Sequence, residues 1–139
     1  MSLEKVQQAL ATRYLRDFPQ ATYKTAWENV AFTPPTGTPW FAFHFVPAAS
    51  KIVTLGPNGK DEENGFVQID INVPALDGEG RLRSLYARLK TCFPSASSLI
   101  YAQQSVSILS VSRSGGREVD GFYRVSVTVR WKAQVTRTA

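Results

Sequence analysis

Residues 27–40 read WENVAFTPPTGTPW, from Trp27 to Trp40. The segment leaves one expected strand, crosses a stiff Pro34-Pro35 turn, and enters another strand at Pro39-Trp40-Phe41-Ala42-Phe43. It holds two tryptophans and three prolines but no obvious nucleophile, base or metal ligand. Its content is architectural. Downstream, Phe41, Phe43 and Phe45 share one face of a strand from Trp40 to Val46, with Trp40, Ala42, His44 and Val46 on the other. A strand apolar on both faces is central in its sheet or covered on both sides, and Pro39 is tolerated only at its start. Upstream, Tyr23 to Phe32 alternates weakly and reads as the first strand.

Working outward, Ser2 is placed to cap a helix in which Leu3, Val6, Leu10, Tyr14 and Phe18 recur at helical spacing, and Pro19 stops it. Ala48 to Gly65 reads as a long hairpin tip carrying Gly56-Pro57-Asn58-Gly59 and the acidic run Asp61-Glu62-Glu63. A connection of that length is functional or disordered, and it is expected to order against a partner. Phe66 to Val73 alternates cleanly, with Val67, Ile69, Ile71 and Val73 opposite Gln68, Asp70 and Asn72. Pro74 ends it. Asp77 or Gly78 opens a second helix with Leu82, Leu85, Tyr86, Leu89 and Phe93 on its buried side and Pro94 as terminator. Val106 to Arg113 then pairs, through Ser114-Gly115-Gly116, with a long strand from Val119 to Ala133. There Tyr123, Val125, Val127, Val129 and Trp131 face the core and Arg124, Ser126, Thr128 and Arg130 face away. The expected fold is α+β: a mainly antiparallel sheet of about five strands with two helices packed on one face.

The 139 residues, 43% hydrophobic and 19% charged, fit one globular domain spanning residues 1–139, with its long hairpin loop at about 48–65. A chain of this size buries roughly 68–70% of its unfolded surface. No apolar run reaches membrane-spanning length and the N-terminus lacks a signal peptide's apolar region, so a soluble intracellular protein is expected. The net charge of +5 raises nucleic acid as a partner. The cations are scattered, however, with Arg81, Arg83, Arg88 and Lys90 along one helix and Arg124, Arg130 and Lys132 along one strand. A nucleic-acid binder concentrates them beside stacking aromatics.

Reactive groups are sparse. His44 is the single histidine and lies mid-strand, where a structural role is expected. Cys92, the single cysteine, excludes an intramolecular disulfide, argues with His44 against structural zinc, and falls at the edge of an apolar helical face. Asp61, Glu62 and Glu63 lack the spacing of a calcium loop. Gly78-Glu79-Gly80 is too short for a dinucleotide fingerprint, and no phosphate loop is present. No catalytic residue, metal or cofactor is expected. Trp27 and Trp40 are candidate interface anchors, set against a core-packing role.

The WENVAFTPPTGTPW segment, the Phe66-Val67-Gln68-Ile69-Asp70-Ile71 strand and the closing Tyr123-Arg124-Val125-Ser126-Val127 strand together resemble the tail terminator (tail completion) proteins of long-tailed phages and prophages. The likeness runs from about Thr22 to Ala133. It implies a non-catalytic, cofactor-free subunit that closes into a homohexameric ring on the tail tube, ends tail elongation and offers the head a docking surface. Its implied partners are further copies of itself, the tail tube protein and head-side connector proteins, with DNA passing through the ring without sequence-specific binding. Its implied places are the virion tail and, during assembly, the host cytoplasm. The long loop would sit at a subunit or tube interface, which makes Trp27, Trp40, Lys51, Asp61, Glu62, Glu63, Arg124 and Arg130 the expected interface residues. Cations lining the channel would retard DNA, so Arg124, Arg130 and Lys132 are expected to face a neighbour or the outside. Another head–tail connector or neck component, or a basic nucleic-acid-binding module, are the alternative readings.

Overall fold

The computed structural model describes residues 3–56, 58–75 and 78–136; the expected capping Ser2 and the candidate helix start Asp77 lie outside them. The order of elements is α1 (Leu3–Asp17), β1 (Lys24–Trp27), β2 (Trp40–Ile52), β3 (Lys60–Pro74), α2 (Gly80–Cys92), β4 (Ser98–Tyr101), β5 (Gln104–Arg113), β6 (Arg117–Val119) and β7 (Phe122–Thr136). The strands form one sheet in the order β1-β2-β3-β7-β5-β4, with β6 hydrogen-bonded to β7. The α+β class stands. Among the described residues, though, the sheet has seven strands rather than about five, and β1 runs parallel to β2 while every other pairing is antiparallel.

The core is built as the alternation predicts. Val67, Ile69, Ile71 and Val73 of β3 and Val125, Val127, Val129 and Trp131 of β7 are fully buried. They meet Val6, Leu10 and Tyr14 of α1 and Leu82 and Leu89 of α2 in one cluster. Tyr14 is the corner piece. Its ring stacks on Phe18 at 4.9 Å and meets Phe43 at 5.2 Å, and its hydroxyl lies 2.7 Å from Thr25 Oγ1. Burying a tyrosine this deeply requires such a partner for the hydroxyl. Arg88 fastens α2 to the end of α1, donating from Nε to the Asp17 carbonyl at 2.8 Å with its guanidinium over Tyr23.

Several expected boundaries are corrected. The first strand spans only Lys24–Trp27, not Tyr23 to Phe32, because Asn29 turns the chain at φ +56° and the Val30 amide closes back on the Trp27 carbonyl. The expected loop from 48 to 65 is mostly strand. β2 and β3 pair as far as Ile52–Asp61, leaving 53–59 as the connection. Two short strands were not expected. β4 joins β5 through Ala102 and Gln103, both at positive φ; neither residue is a habitual turn former, so the sequence carries no punctuation there. β6 joins β7 through Asp120-Gly121, a two-residue hairpin turn hidden within what reads as one strand from Val119. The second helix begins at Gly80 after Glu79, later than Asp77 or Gly78.

β3 pairs with β7 along its whole length without a register break, whereas β2 carries a bulge between Pro47 and Ala49. Gly65 sits opposite that bulge, and a Cβ there would lie 2.3 Å from the Val46 carbonyl oxygen and 2.8 Å from the Pro47 Cα. Both contacts are backbone and have nowhere to go. Gly65→Ala is therefore expected to destabilise the fold by roughly 1–3 kcal/mol, whereas Gly115→Ala, which opens into empty space, stays within about 0.5 kcal/mol. Urea unfolding of the two variants measures the contrast.

Candidate assembly interface

The segment that decides the fold also finishes a sheet edge. Trp27 packs against Phe43 at 5.0 Å and Tyr14 at 5.9 Å, half-buried at the end of β1. β1 pairs with β2 only as far as Trp27–Phe43. The next outward-pointing donor of β2, the Phe45 amide, is taken by the Glu28 carboxylate at 2.6 Å. Two residues on, Pro47 has no amide hydrogen to offer. Glu28, Asn29 and Pro47 thus close an edge that would otherwise invite another strand.

Past that point β2 and β3, with the end of β7 alongside, extend as an arm. Glu62 is opposite both Lys51 and Gln134, and Lys60 pairs with Thr136. The arm's tip is tied by its own hydrogen bonds. The Val53 and Thr54 amides both donate to the Lys60 carbonyl, and the Lys60 amide donates to Thr54 Oγ1 at 2.6 Å. Ile52, Val53 and Leu55 stand exposed there, Leu55 at 86%. Asp61, Glu62 and Glu63 are half-buried on the flank. Glu63 accepts from Ser50 Oγ at 3.0 Å, and Glu62 lies 4.0 Å from Lys132 Nζ. A polar notch of about 380 Å³ opens beside Lys132 and Gln134, where the buried Gln104 amide donates to the Gln134 carbonyl.

The helix-free face is less open than its sequence implies. Asn72 is fully buried and Asp70 nearly so. Trp40 is 8% exposed, lying between Phe32 and Phe122 and under the Arg124 guanidinium, whose Nε donates to Asn72 Oδ1 at 2.6 Å. Enclosed this way, Trp40 offers no free ring for a base to stack on. Asp70 accepts from Gln68 Nε2 and Ser126 Oγ, with His44 Nε2 at 3.8 Å. Arg130 is exposed further along the same face of β7.

The expected interface residues therefore divide. Lys51, Asp61, Glu62 and Glu63 come together on the arm, and Arg130 lies across from its base. Trp27, Trp40 and Arg124 make contacts within the chain. Ile52, Val53 and Leu55 were not expected; three large aliphatics inside a run of glycine, asparagine and acids were the available signal.

The reactive groups stay apart. His44 is on the helix-free face, while Cys92 is buried at the end of α2 with its Sγ 3.4 Å from the Arg13 carbonyl. Among the described residues no three His, Cys, Asp or Glu side chains gather as metal ligands. Nor is any described helix long and apolar enough to cross a membrane. Burial pushes the Cys92 thiol up to about 12, with the Asp17 carboxylate opposing the thiolate as well. Such a thiol is a packing group.

A solved structure with 22% identity covers 97% of this chain and 97% of its own, with a TM-score of 0.77, so the fold is shared. Sixteen solved chains match. No curated protein sequence matches. The family comparison places the chain among structural components of phage tails. It belongs to the phage tail terminator protein family, whose description reads "Phage tail terminator protein" and whose model matches residues 5–131.

Two outcomes are expected. Glu28→Ala leaves the Phe45 amide uncapped, costing roughly 0.5–1.5 kcal/mol and speeding hydrogen exchange at Phe45, while Glu28→Gln keeps the acceptor and most of the protection. For Cys92, the unfolded thiol ionises near about 8.5 while the folded one stays protonated. Above that pH the folded state holds the extra proton, so stability falls as pH rises. Thermal unfolding from pH 8 to 10 should show that decline in the wild type and a flatter profile in Cys92→Ala.

Proposed function

We propose that this subunit closes into a homohexameric ring on the end of the tail tube, ends tube elongation there, and offers the head its docking surface. The family match across residues 5–131 carries this reading. The architecture is compatible with it. A ring needs two different patches on each subunit, related by a rotation that closes, and the arm of β2 and β3 and the far sheet edge at β4 are two such patches. The partners are copies of the same chain, the tail tube protein and head-side connector proteins, and DNA passes through the channel without sequence-specific contact. The role is mechanical, with no catalysis and no cofactor, in the virion tail and in the host cytoplasm during assembly.

Arg124, Arg130 and Lys132 bear on orientation. Arg124 is engaged with Asn72 and Trp40, and Lys132 lies near Glu62. In the proposed ring these cations face a neighbour or the outer surface, since a cationic channel would bind phosphates and slow the DNA. A ring reconstruction with all three pointing into the channel overturns that placement.

Light scattering behind size exclusion, over a wide concentration range and with tail tubes present, tests the ring. Six-fold closed particles with an open channel are expected by negative stain, free or on tube ends. A subunit that stays monomeric at every concentration and never caps a tube sinks the proposal.

A further inference from the structure

The arm is an extension of the sheet that its own helices do not cover. On the helix side, Val67, Ile69 and Ile71 are fully buried. Continuing along the same face, Asp61 and Glu63 are half-exposed, and Ser50 and Ile52, opposite Glu63 and Asp61, are exposed. The tip adds Val53 and Leu55. Beside it Ala133 and Val135 of β7 pack against the core, but the β2–β3 part keeps aliphatic side chains in water and gains stability from an outside cover. At the opposite edge of the sheet, α1 and β4 leave a cleft of about 280 Å³ lined by Ala9, Arg13, Arg16, Leu99, Ile100 and Tyr101. Ile100, 74% exposed, alternates with the buried Leu99 and stands on the outer side of that edge. The helix side of the arm is aliphatic and acidic, with Lys51 on the other face; the cleft is aliphatic and basic, Arg16 being paired there with Asp17.

We propose, resting on the ring reading, that the arm of each copy seats in the α1–β4 cleft of the next. Leu55, at the tip, reaches around the sheet edge to Ile100, Ile52 packs on Ala9 and Tyr101, and Asp61 and Glu63 turn toward Arg13 and Arg16. The layering favours a second copy over another partner. When two such sheets stand side by side, the β2 edge of one against the β4 edge of the next, α1 of the neighbour lies on the helix side of the arm. It supplies the missing layer. The closed edge at Glu28 and Pro47 leaves this contact to side chains, because β2 withholds its first outward amides from strand addition. Glu63 gives up only an exposed hydrogen bond from Ser50, which contributes little in the free subunit. The match of aliphatic and charged groups fixes which surfaces meet.

Cross-linking of the full chain is the test. In the Leu55→Cys/Ile100→Cys double variant, mild oxidation is expected to yield a ladder of covalent multimers ending at the size of the closed ring, absent from either single variant; the native Cys92 is buried and stays silent. Complementation gives a second readout. Leu55→Asp and Ile100→Asp should each abolish rings while circular dichroism shows a folded subunit. Mixed together, the two should form one-to-one dimers and nothing larger, because only one kind of junction is then intact. Rings that persist in both aspartate variants, without a ladder, overturn the docking and leave the ring reading standing. Rings that persist while Leu55→Asp loses tube capping give the arm to the tube protein and also overturn it. Wild-type protein that never forms rings, free or on tubes, removes both.

Discussion

The pairing of β3 with β7 sets the frame on which everything else is registered. All fifteen residues of β3 are matched, from Lys60 opposite Thr136 to Pro74 opposite Phe122, with no shift. Side chains alternate with a period of two, so one slipped residue would send Val67, Ile69, Ile71, Val125, Val127 and Val129 out of the core together. That penalty holds the ladder straight. The irregularities fall on its flanks instead, at Pro47/Ala49 in β2 and Ile108/Ser110 in β5. The same unbroken ladder carries the sheet beyond the helices, where the arm forms.

The corner at Tyr14 depends on this frame too. Phe41 and Phe43 of β2 take their places from their pairing with Ile71 and Ile69. Tyr14, Phe18 and Trp27 then close around them in contacts of 5–6.5 Å. Aromatic pairs at such spacings add roughly 0.5–1.5 kcal/mol each beyond the area they bury. The short parallel strand β1 has few backbone bonds of its own and is held largely by this packing.

Where burial is one-sided, the sequence declared the structure: the helices, Phe66 to Val73, and the inward residues of β7 were all legible from periodicity. The arm was not, because a strand covered by nothing in its own chain shows no alternation. Asp61-Glu62-Glu63-Asn64 reads as loop although it is paired on both sides. β4 escaped for a different reason. Ala102 and Gln103 adopt left-handed backbone without glycine, so nothing in the sequence marks the strand or the exposed Ile100 upon it. Of the candidate site, the acidic run marks the arm in the sequence, Trp27 and Trp40 are conspicuous by type and pack within the chain, and Glu28, which closes the edge, is legible only as part of a motif.

Edge closure at Glu28 and Pro47 has a consequence for life inside an infected cell. Strand addition through backbone amides is nearly blind to sequence, whereas contacts made by side chains discriminate. A cell can hold several related tail genes, some on resident prophages, and translate them at once. With the amide of Phe45 occupied and that of Pro47 missing, this stretch of β2 cannot recruit an arbitrary strand. In the proposed ring, kin would be sorted from strangers by the residues the arm presents, leaving each lineage free to diverge there and keep its particles unmixed.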